Sequence, residues 1–279
     1  MVLSNLTPFI PSILILYGKL SILVYFSPQI MPFPSISLII PCYNEAIRVA
    51  RMFQGLRDFD TQWQGSYEVI IVDDGSTDGT DLVIQSNPFF VELTNQKKIT
   101  VLQQANTGKG GALQLGVAHA SKDFFLTLDA DMATAPTELL RWLSMRKTFS
   151  AREVLIASRE LKNSKVSDSF KRKVVGNIFN KIIRLMVKLT ISDTQCGFKL
   201  YPASIAQQAF ASLQTLGWAH DVEILAHANF LGYAIIEMPI TWSAVEGSKI
   251  DVLRDGWKMF WEVQKISRLQ KNWKEPKKN

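Results

Sequence analysis

The sequence predicts an α/β fold in which a mainly parallel sheet is flanked by helices on both faces. Apolar runs of strand length alternate with segments of helical periodicity from residue 35 to about residue 159. Glycine and polar residues follow several of these runs, as expected where a buried strand leaves the sheet. No internal repeat or low-complexity stretch interrupts the alternation.

The first half of the chain supplies most of the predicted sheet. A fully apolar run of four to eight residues indicates a buried strand, whereas apolar residues on a single helical face indicate a covering helix. The predicted strands are residues 36–41, 67–72, 99–103, 123–128 and 154–158. The predicted helices are residues 45–59, a segment after Thr80, 110–120 and 137–147.

After Arg159 the regular alternation ends. Residues 167–189 are predicted to form one long helix with three basic side chains on a common face. The remaining predicted elements are strands at 197–201 and 233–240, a helix at 222–230 and a basic amphipathic helix at 251–273. A second, smaller set of elements therefore completes the domain.

Residues 1–34 differ in composition from the rest of the chain. Lys19 is their only formally charged side chain, and two strongly apolar segments flank it. The stretch has the length of a membrane-spanning helix but is interrupted by glycine and proline, and it lacks the basic start and cleavage site of a secretory signal. We interpret it as a membrane-associating segment. Spanning the bilayer, lying on its surface, and forming a buried extra hairpin or helix all remain open.

Residues 250–279 form a basic tail. Its basic side chains toward the end are Lys265, Arg268, Lys271, Lys274, Lys277 and Lys278, opposed there by Glu262 and Glu275. Together with the tryptophans of this segment, they suit a membrane interface, although the tryptophans could instead pack on the domain. The predicted organisation is therefore 1–34, a central domain at 35–249, and 250–279.

Charge and cysteine content limit the possible partners. The formal net charge of +6 is modest for 279 residues, so nucleic acid is not expected as a partner. Cys42 and Cys196 cannot form a disulfide framework, which favours a reducing compartment. The three histidines lack zinc-ligand spacing with these cysteines and are expected to be structural, and Lys199 is expected to be a strand-edge charge.

Asp129-Ala130-Asp131, directly after the apolar run 124–128, is the most informative motif. Unpaired carboxylates at the end of a buried strand cannot belong to the core. At the carboxyl edge of an open α/β sheet they suit a hard cation, Mg²⁺ or Mn²⁺, whose coordination is completed by substrate phosphates. The alternative is that Asp131 caps the helix that starts near Pro136.

Three further loops at predicted strand ends carry polar residues that core packing does not require. They are residues 41–45, 73–80 and 106–111. Asn44 could cap the helix after the first loop. One of Asp73 and Asp74 could accept a hydrogen bond from a nucleobase, while the other orients the second loop. The third loop is glycine-rich and opens a helix, so its backbone N–H groups could bind an anion.

Departures from standard motifs exclude three other classes. A P-loop is excluded because Lys109 is followed by glycine and the leading glycine is missing. A haloacid-type phosphatase would need a nucleophilic aspartate where this chain has Ser76. A nicotinamide dehydrogenase would need Gly-x-Gly-x-x-Gly after the first strand, and residues 42–45 contain no glycine.

Taken in order, residues 41–45, 72–76 and 129–131 resemble the family-2 glycosyltransferases, which have the GT-A fold. The resemblance covers nearly everything from Ser35 to about Lys249. Within the family the chain is most similar to the dolichyl-phosphate β-glucosyltransferases, through residues 157–159, 193–200, 218–223 and 247–249. It implies a Rossmann-like GT-A catalytic domain, mainly parallel and flanked by helices, with membrane-associating terminal helices.

The resemblance also implies roles for individual residues. Nucleotide-sugar contacts are implied for Pro41, Tyr43, Glu45, Val72, Asp74, Asp129, Ala130, Asp131 and Lys249. Lys109 is added to this set because holding two anionic groups together requires cations. Asp129 and Asp131 would hold the metal, Asp131 more directly, and Arg159 and Arg172 would lie near the acceptor phosphate. Some relatives with mannose donors have a further glutamine ligand where this chain has Ala133.

The implied catalytic residues are Asp129, Asp131, Arg159 and Asp221. Asp221 lies where hydroxyl-using relatives have a base, and the alternative is that it caps the helix at 222–230. A phosphate acceptor is already ionised at neutral pH, so it has less need of a base than a sugar hydroxyl. Alignment and stabilisation of the departing diphosphate are then the main tasks.

The implied activity is inverting transfer of glucose from UDP-glucose to dolichyl or another polyprenyl phosphate, giving a β-linked product. The implied location is a membrane surface with the active site facing the cytoplasm. One alternative is a mannosyl- or other hexosyltransferase of the same family acting on polyprenyl phosphate or a glycan. A more remote alternative is a non-catalytic sugar-nucleotide binding protein.

Overall fold

A computed structural model describes residues 16–17, 20–21, 33–167, 186–187, 189–217, 219–243 and 252–273. The chain divides into two compact units, Met1–Pro32 and Phe33–Asn279. The described part of the first unit forms two short antiparallel strands, β1 (Leu16–Tyr17) and β2 (Leu20–Ser21). The rest of the predicted segment 1–34 lies outside the described residues, apart from Phe33 and Pro34. No helix among the described residues is both long and apolar enough to cross a bilayer.

The second unit is built on a seven-stranded sheet. Its strands are β3 (Ile36–Cys42), β4 (Tyr67–Asp73), β5 (Ile99–Gln103), β6 (Phe124–Thr127), β7 (Glu153–Ser158), β9 (Lys199–Pro202) and β10 (Ala234–Pro239). Their order is β10-β7-β9-β6-β3-β4-β5, and every neighbouring pair is parallel except those of β9 with β6 and β7. The predicted mainly parallel α/β sheet is therefore confirmed.

Helices cover both faces of this sheet. They are α1 (Val49–Asp60), α2 (Thr80–Gln85), α3 (Pro88–Asn95), α4 (Lys109–His119), α5 (Glu138–Arg146), α6 (Ala203–Ala211), α7 (His220–Phe230) and α8 (Val252–Leu269). Leu38 and Ile40 of β3 pack with residues of α1, α3 and α5, whereas Ile39 packs with residues of α4, α6 and α7. Alternate side chains of a central strand thus enter two cores, which explains its unbroken apolar sequence.

Several elements differ from the sequence prediction. The predicted helix at 45–59 begins late, because a short 3-10 turn (Ala46–Arg48) precedes α1. Helix α6 was not predicted, since its nine residues carry no charge and so give little amphipathic contrast. A separate pair of short parallel strands, β8 (Lys165–Ser167) and β11 (Thr241–Ser243), was also missed.

The predicted helices near the chain's second half have mixed outcomes. The long helix predicted at 167–189 cannot begin at Ser167, which belongs to β8. Within that range, residues 186–187 are helical, and nearly all of the remainder lies outside the described residues. The predicted C-terminal helix is confirmed as α8, followed by a 3-10 turn at Gln270–Asn272.

Strand direction brings the polar loops to one edge of the sheet. Strands β3 to β6 are parallel, and β7 runs with them because β9 is antiparallel to both β6 and β7. Their carboxyl ends therefore meet at a single edge, which is where open α/β sheets bind ligands. The register places Pro41 beside Val72 and Cys42 beside Asp73 at that edge.

Candidate active site

The loops after β3 and β4 are joined by backbone-to-side-chain hydrogen bonds. The N–H of Asn44 donates to Ser76 Oγ (2.9 Å), and that of Thr77 donates to Asn44 Oδ1 (2.8 Å). Asn44 has a φ of +54°, a left-handed conformation that asparagine tolerates. Its side chain therefore ties two loops together, and the predicted alternative that it caps the following helix is wrong.

Asp73 and Asp74 are buried residues that organise the loops around them. Asp73 Oδ1 accepts a hydrogen bond from the N–H of Ser76 (3.1 Å), which closes its own turn. Asp74 accepts the N–H groups of Thr107 and Gly108, both at 2.9 Å, and the side-chain amide of Gln104 at 2.7 Å. Both carboxylates thus orient loops, and the implied contact of Asp74 with a nucleobase stays a prediction.

The glycine-rich loop at 106–111 uses its backbone differently from the prediction. The backbone N–H groups of Thr107 and Gly108 donate to the carboxylate of Asp74 and not to a ligand. The N–H of Gly110 donates to the Leu216 carbonyl (2.8 Å). A Cβ atom at Gly108 would lie 2.7 Å from the oxygen of Leu216. The glycines therefore permit close packing, and the loop's one cationic side chain, Lys109, is what reaches the site.

The residues implied to bind the nucleotide line the same edge. Tyr43 is 43% exposed there, while Val72 is completely buried, so the implied nucleotide contact of Val72 stays a prediction. Glu45 forms an ion pair with Arg48 (2.6 Å), and the charge of Arg48 also acts on Asp131. Arg48 is a site residue that sequence reasoning missed, although its spacing of three residues from Glu45 in a helical segment could have suggested the pair.

Asp129 and Asp131 lie on a tight turn after β6. The N–H of Met132 donates to the Asp129 carbonyl (3.1 Å), and that of Ala133 donates to Asp131 Oδ1 (2.9 Å). Helix α5 begins only at Glu138 and has Thr137 at its N-cap position. The alternative that Asp131 caps this helix is therefore wrong, and its carboxylate belongs to the turn.

The two carboxylates of this turn differ in their electrostatic surroundings. Partial burial alone would raise the pKa of Asp129, but Lys109, whose Nζ lies 2.6 Å from Asp129 Oδ1, lowers it below its ordinary value. Burial, followed by the negative charge of Asp129, raises the pKa of Asp131 above its ordinary value. Asp131 is therefore a carboxylate whose charge lacks full compensation, as expected of a cation ligand.

The donor set of this turn fits a hard divalent cation. Asp129 and Asp131 supply carboxylate oxygens from residues two apart, and their mutual repulsion would be relieved by a bound cation. No cluster of three or more His, Cys, Asp or Glu side chains suited to a metal occurs among the described residues, and Ala133 offers no ligand. Substrate phosphates and water would complete the coordination, as Mg²⁺ and Mn²⁺ sites at phosphates often require.

Gly197 provides a steric test of this site. A Cβ atom at Gly197 would lie 2.5 Å and 2.6 Å from the two carboxylate oxygens of Asp129. Gly197→Ala is expected to push that carboxylate aside and to weaken Mn²⁺ binding by about tenfold, with a smaller effect on stability. Isothermal titration with Mn²⁺ and thermal unfolding would measure the two effects.

A second glycine variant serves as its control. Gly232 has a φ of +80°, and a Cβ atom there would have no neighbouring atom within 4 Å, so Gly232→Ala strains the backbone without touching the site. We expect it to lower stability by about 1 kcal/mol and to leave Mn²⁺ affinity unchanged. Equal Mn²⁺ affinity in Gly197→Ala and the wild type would contradict the assignment of Asp129.

Arg159 is held at the end of β7 by Asp193. Its Nε and Nη2 atoms donate to the two carboxylate oxygens at 2.7 Å and 3.0 Å, and its backbone N–H donates to the same group. Burial opposes the charge of Arg159, yet Asp193 raises its pKa and keeps it cationic. Asp193 is almost completely buried and was missed as a positioning residue, although it belongs to one of the segments that carried the resemblance.

Lys199 and Asp221 form a buried ion pair behind the Asp129 turn. Lys199 Nζ lies 2.6 Å from Asp221 Oδ1 and also donates to the Cys196 carbonyl (2.6 Å). Lys199 is completely buried, so the prediction that it is a strand-edge charge is wrong. Asp221 is the second residue of α7, after the N-cap residue Ala219, so the alternative that it caps this helix is also wrong.

Outcomes differ for the other residues that the sequence singled out. His220 is buried, and its Nδ1 lies 2.7 Å from the Gly217 carbonyl, in keeping with a structural role. Cys42 and Cys196 are buried free thiols, and burial raises the pKa of Cys196 to about 11. Arg172 and Lys249 lie outside the described residues, so their implied phosphate contacts stay predictions.

A sheet of this topology with an Asp-x-Asp turn at its carboxyl edge agrees with the family comparison. The model of the family described as "Glycosyl transferase family 2" matches residues 37–210, which is more than half of the chain. The chain belongs to this family and is a family-2 glycosyltransferase.

Three relatives within the family are particularly informative. The dolichyl-phosphate beta-glucosyltransferase of Dictyostelium discoideum is 31% identical over 83% of this chain and 73% of its own length. The enzyme of the same name from Saccharomyces cerevisiae is 32% identical over 80% and 71%, and that from Homo sapiens is 31% identical over 78% and 70%. This chain is therefore similar to one named subgroup across most of its length, as the motifs implied.

Solved structures support the GT-A fold. The glucosyl-3-phosphoglycerate synthase from Mycobacterium tuberculosis, in complex with Mn²⁺ and UDP-glucose, matches with a TM-score of 0.62 at 15% identity, covering 84% of this chain and 79% of that one. The mannosyltransferase PcManGT from Pyrobaculum calidifontis, in complex with GDP-Man and Mn²⁺, matches with a TM-score of 0.57 at 18% identity, covering 90% and 68%. At such identities the likeness establishes the fold alone, and the predicted GT-A architecture is confirmed.

Proposed function

We propose that this glycosyltransferase moves glucose from UDP-glucose to dolichyl or another polyprenyl phosphate and that the product is β-linked. The observation that carries the proposal is the similarity, over about four fifths of the chain, to relatives named dolichyl-phosphate beta-glucosyltransferase. The solved structures with Mn²⁺ and nucleotide sugars support a divalent cation as cofactor, and Mg²⁺ or Mn²⁺ suits the two carboxylates of the Asp129 turn.

The proposed reaction is a single displacement at the anomeric carbon of glucose. A phosphate oxygen of the lipid forms the new bond on one face, while the bond to the diphosphate breaks on the other. A divalent cation bound at Asp129 and Asp131 would neutralise charge that develops on the departing diphosphate. Inversion at this carbon converts an α-linked donor into a β-linked product.

The charged residues at the edge have defined tasks in this reaction. Lys109 and Arg159 place positive charge beside the Asp129 turn, where two anionic substrates must approach each other. Arg159 is pre-oriented by its paired hydrogen bonds to Asp193, which limits the entropy lost when it contacts a phosphate. The nucleophile is already ionised, so proton removal by Asp221 is unnecessary, in keeping with its ion pair to Lys199.

The proposed location is a membrane surface with the active site facing the cytoplasm. Helix α8 supports it, because Trp261, Lys265 and Arg268 are exposed while Val263 and Ile266 are buried against the domain. Trp273, in contrast, stacks on His227 with ring centroids 4.8 Å apart and so packs on the domain. The interpretation that tryptophans pack on the domain therefore holds for Trp273, and the membrane-interface interpretation is part of the proposal for Trp261.

A substrate panel tests the proposed function. Membranes containing the protein would be incubated with radiolabelled UDP-glucose or GDP-mannose, each with dolichyl phosphate, with a shorter polyprenyl phosphate, or without acceptor, in the presence of Mn²⁺. We expect a glucosyl lipid with β stereochemistry from UDP-glucose only. A mannosyl lipid as the main product would favour the alternative hexosyltransferase, and binding without any transfer would favour the non-catalytic alternative.

A further inference from the structure

The ammonium group of Lys109 forms an ion pair with Asp129, a carboxylate that the divalent cation is expected to bind. Its Nζ lies 2.6 Å from Asp129 Oδ1, at the distance of a charge-assisted hydrogen bond. The ammonium and a metal ion would therefore compete for the same carboxylate group. Lys109 is also the first residue of α4, where the helix dipole disfavours a positive charge, so Asp129 is a main reason that the side chain stays there.

The surrounding charges make Lys109 different from the other lysine in this region. Lys199 is completely buried and is bound to Asp221 and the Cys196 carbonyl, so it cannot leave without a large desolvation cost. The side chain of Lys109 is 23% exposed, and that of Asp129 is 40% exposed. A flexible lysine stem at such an edge can move its ammonium by several ångströms away from Asp129.

We propose that Lys109 is an exchangeable counter-ion: it holds Asp129 until a divalent cation binds there, and its ammonium then transfers to the diphosphate of the donor. This step rests on the proposed function only for the identity of the donor. The competition between Lys109 and the metal requires no donor at all.

Charge balance explains why this exchange would couple the binding of the divalent cation to the binding of the nucleotide sugar. Asp129, Asp131 and Lys109 together carry a single net negative charge, which a divalent cation alone would convert into a net positive one. A nucleotide sugar brings two ionised phosphate groups, which offset that excess and offer Lys109 a new partner. Metal alone should therefore bind weakly, and metal and donor should strengthen each other's binding reciprocally.

The test is a Mn²⁺ titration followed by electron paramagnetic resonance, in which free Mn²⁺ is observed directly. We expect Lys109→Met to bind Mn²⁺ about tenfold more tightly than the wild type in the absence of nucleotide. We also expect UDP to strengthen Mn²⁺ binding less in this variant than in the wild type. Lys109→Gln, which keeps a hydrogen-bond donor without the charge, should behave in the same way and is the second variant if Lys109→Met does not fold.

Lys98→Met is the matched control. Lys98 pairs with Asp60 at 3.1 Å, and the side chains of that pair are 34% and 23% exposed, so it is a partly exposed lysine–aspartate pair like that of Lys109 and Asp129. It precedes β5 and so lies at the opposite edge of the sheet. We expect its Mn²⁺ affinity to equal that of the wild type. Mn²⁺ affinity that is unchanged or weaker in both Lys109 variants would overturn the proposal, whereas failure to form glucosyl lipid would overturn only the proposed function.

Discussion

Replacing Asp131 with asparagine is expected to lower the rate of glycosyl transfer by about 10³-fold or more. The substitution keeps an oxygen that can accept the hydrogen bond from the N–H of Ala133, so the turn should keep its shape. It removes the negative charge of Asp131. The repulsion between that charge and Asp129 is the reason that the two residues are assigned to a cation site. Initial rates at saturating UDP-glucose and Mn²⁺, together with thermal unfolding, would measure the effect on activity and on the fold.

Asp123→Asn is the control for this variant. Asp123 precedes β6 at the opposite end of the strand, where it accepts a hydrogen bond from the Ser35 hydroxyl (2.6 Å). We expect it to change the rate by less than about twofold, as is usual for exposed polar substitutions away from a site. An Asp131→Asn enzyme with a rate close to that of Asp123→Asn would remove Asp131 from the mechanism.

Lys199→Met is expected to destabilise the protein by about 3–5 kcal/mol, because it leaves the buried carboxylate of Asp221 without its cationic lysine partner and with the imidazole of His220 nearby, at 3.4 Å. Methionine fills a similar volume, so the loss would come from the uncompensated charge and not from a cavity. For a domain of this size, a loss of that magnitude corresponds to a fall of roughly 10 °C in the unfolding midpoint. Differential scanning fluorimetry would measure it.

The double variant Lys199→Met, Asp221→Asn separates charge from packing. If the loss arises from an unpaired carboxylate, the double variant should be more stable than Lys199→Met alone, and the two effects should not add. We also expect Asp221→Asn to retain transfer to a polyprenyl phosphate, since that nucleophile needs no base. Additive destabilisation would show that the pair is not energetically coupled, and loss of transfer with an intact fold would indicate a direct role for Asp221.

The sheet was predictable because its strands obey simple patterns. β5 was predicted with its observed bounds, and the other predicted strands of the sheet differ from the observed ones by no more than two residues at either end. The parallel arrangement followed from the alternation with helices. Helix α6 and the β8–β11 pair were missed because short or uncharged elements give little periodic signal.

The candidate site was predictable in position but not in its internal bonding. Sequence reasoning placed Asp74 and the loop at 106–111 at one edge, yet it assigned them to ligand contacts. In the structure they satisfy each other, since Asp74 accepts the N–H groups of Thr107 and Gly108. Lys199 was wrongly predicted to be a strand-edge charge, and Asp193 was missed, for the same reason. Pairing between buried charges that are distant in the sequence depends on tertiary packing, which no local pattern encodes.

A divalent cation at Asp129 and Asp131 is expected to bind the donor diphosphate, and the proposed mechanism depends on that contact. Crystals grown with Mn²⁺ and UDP-glucose, measured at the manganese absorption edge, test it most directly. We predict an anomalous peak about 2.1 Å from a carboxylate oxygen of Asp131, with diphosphate oxygens bound to the same ion. A diphosphate bound elsewhere, with manganese distant from both aspartates, would contradict it.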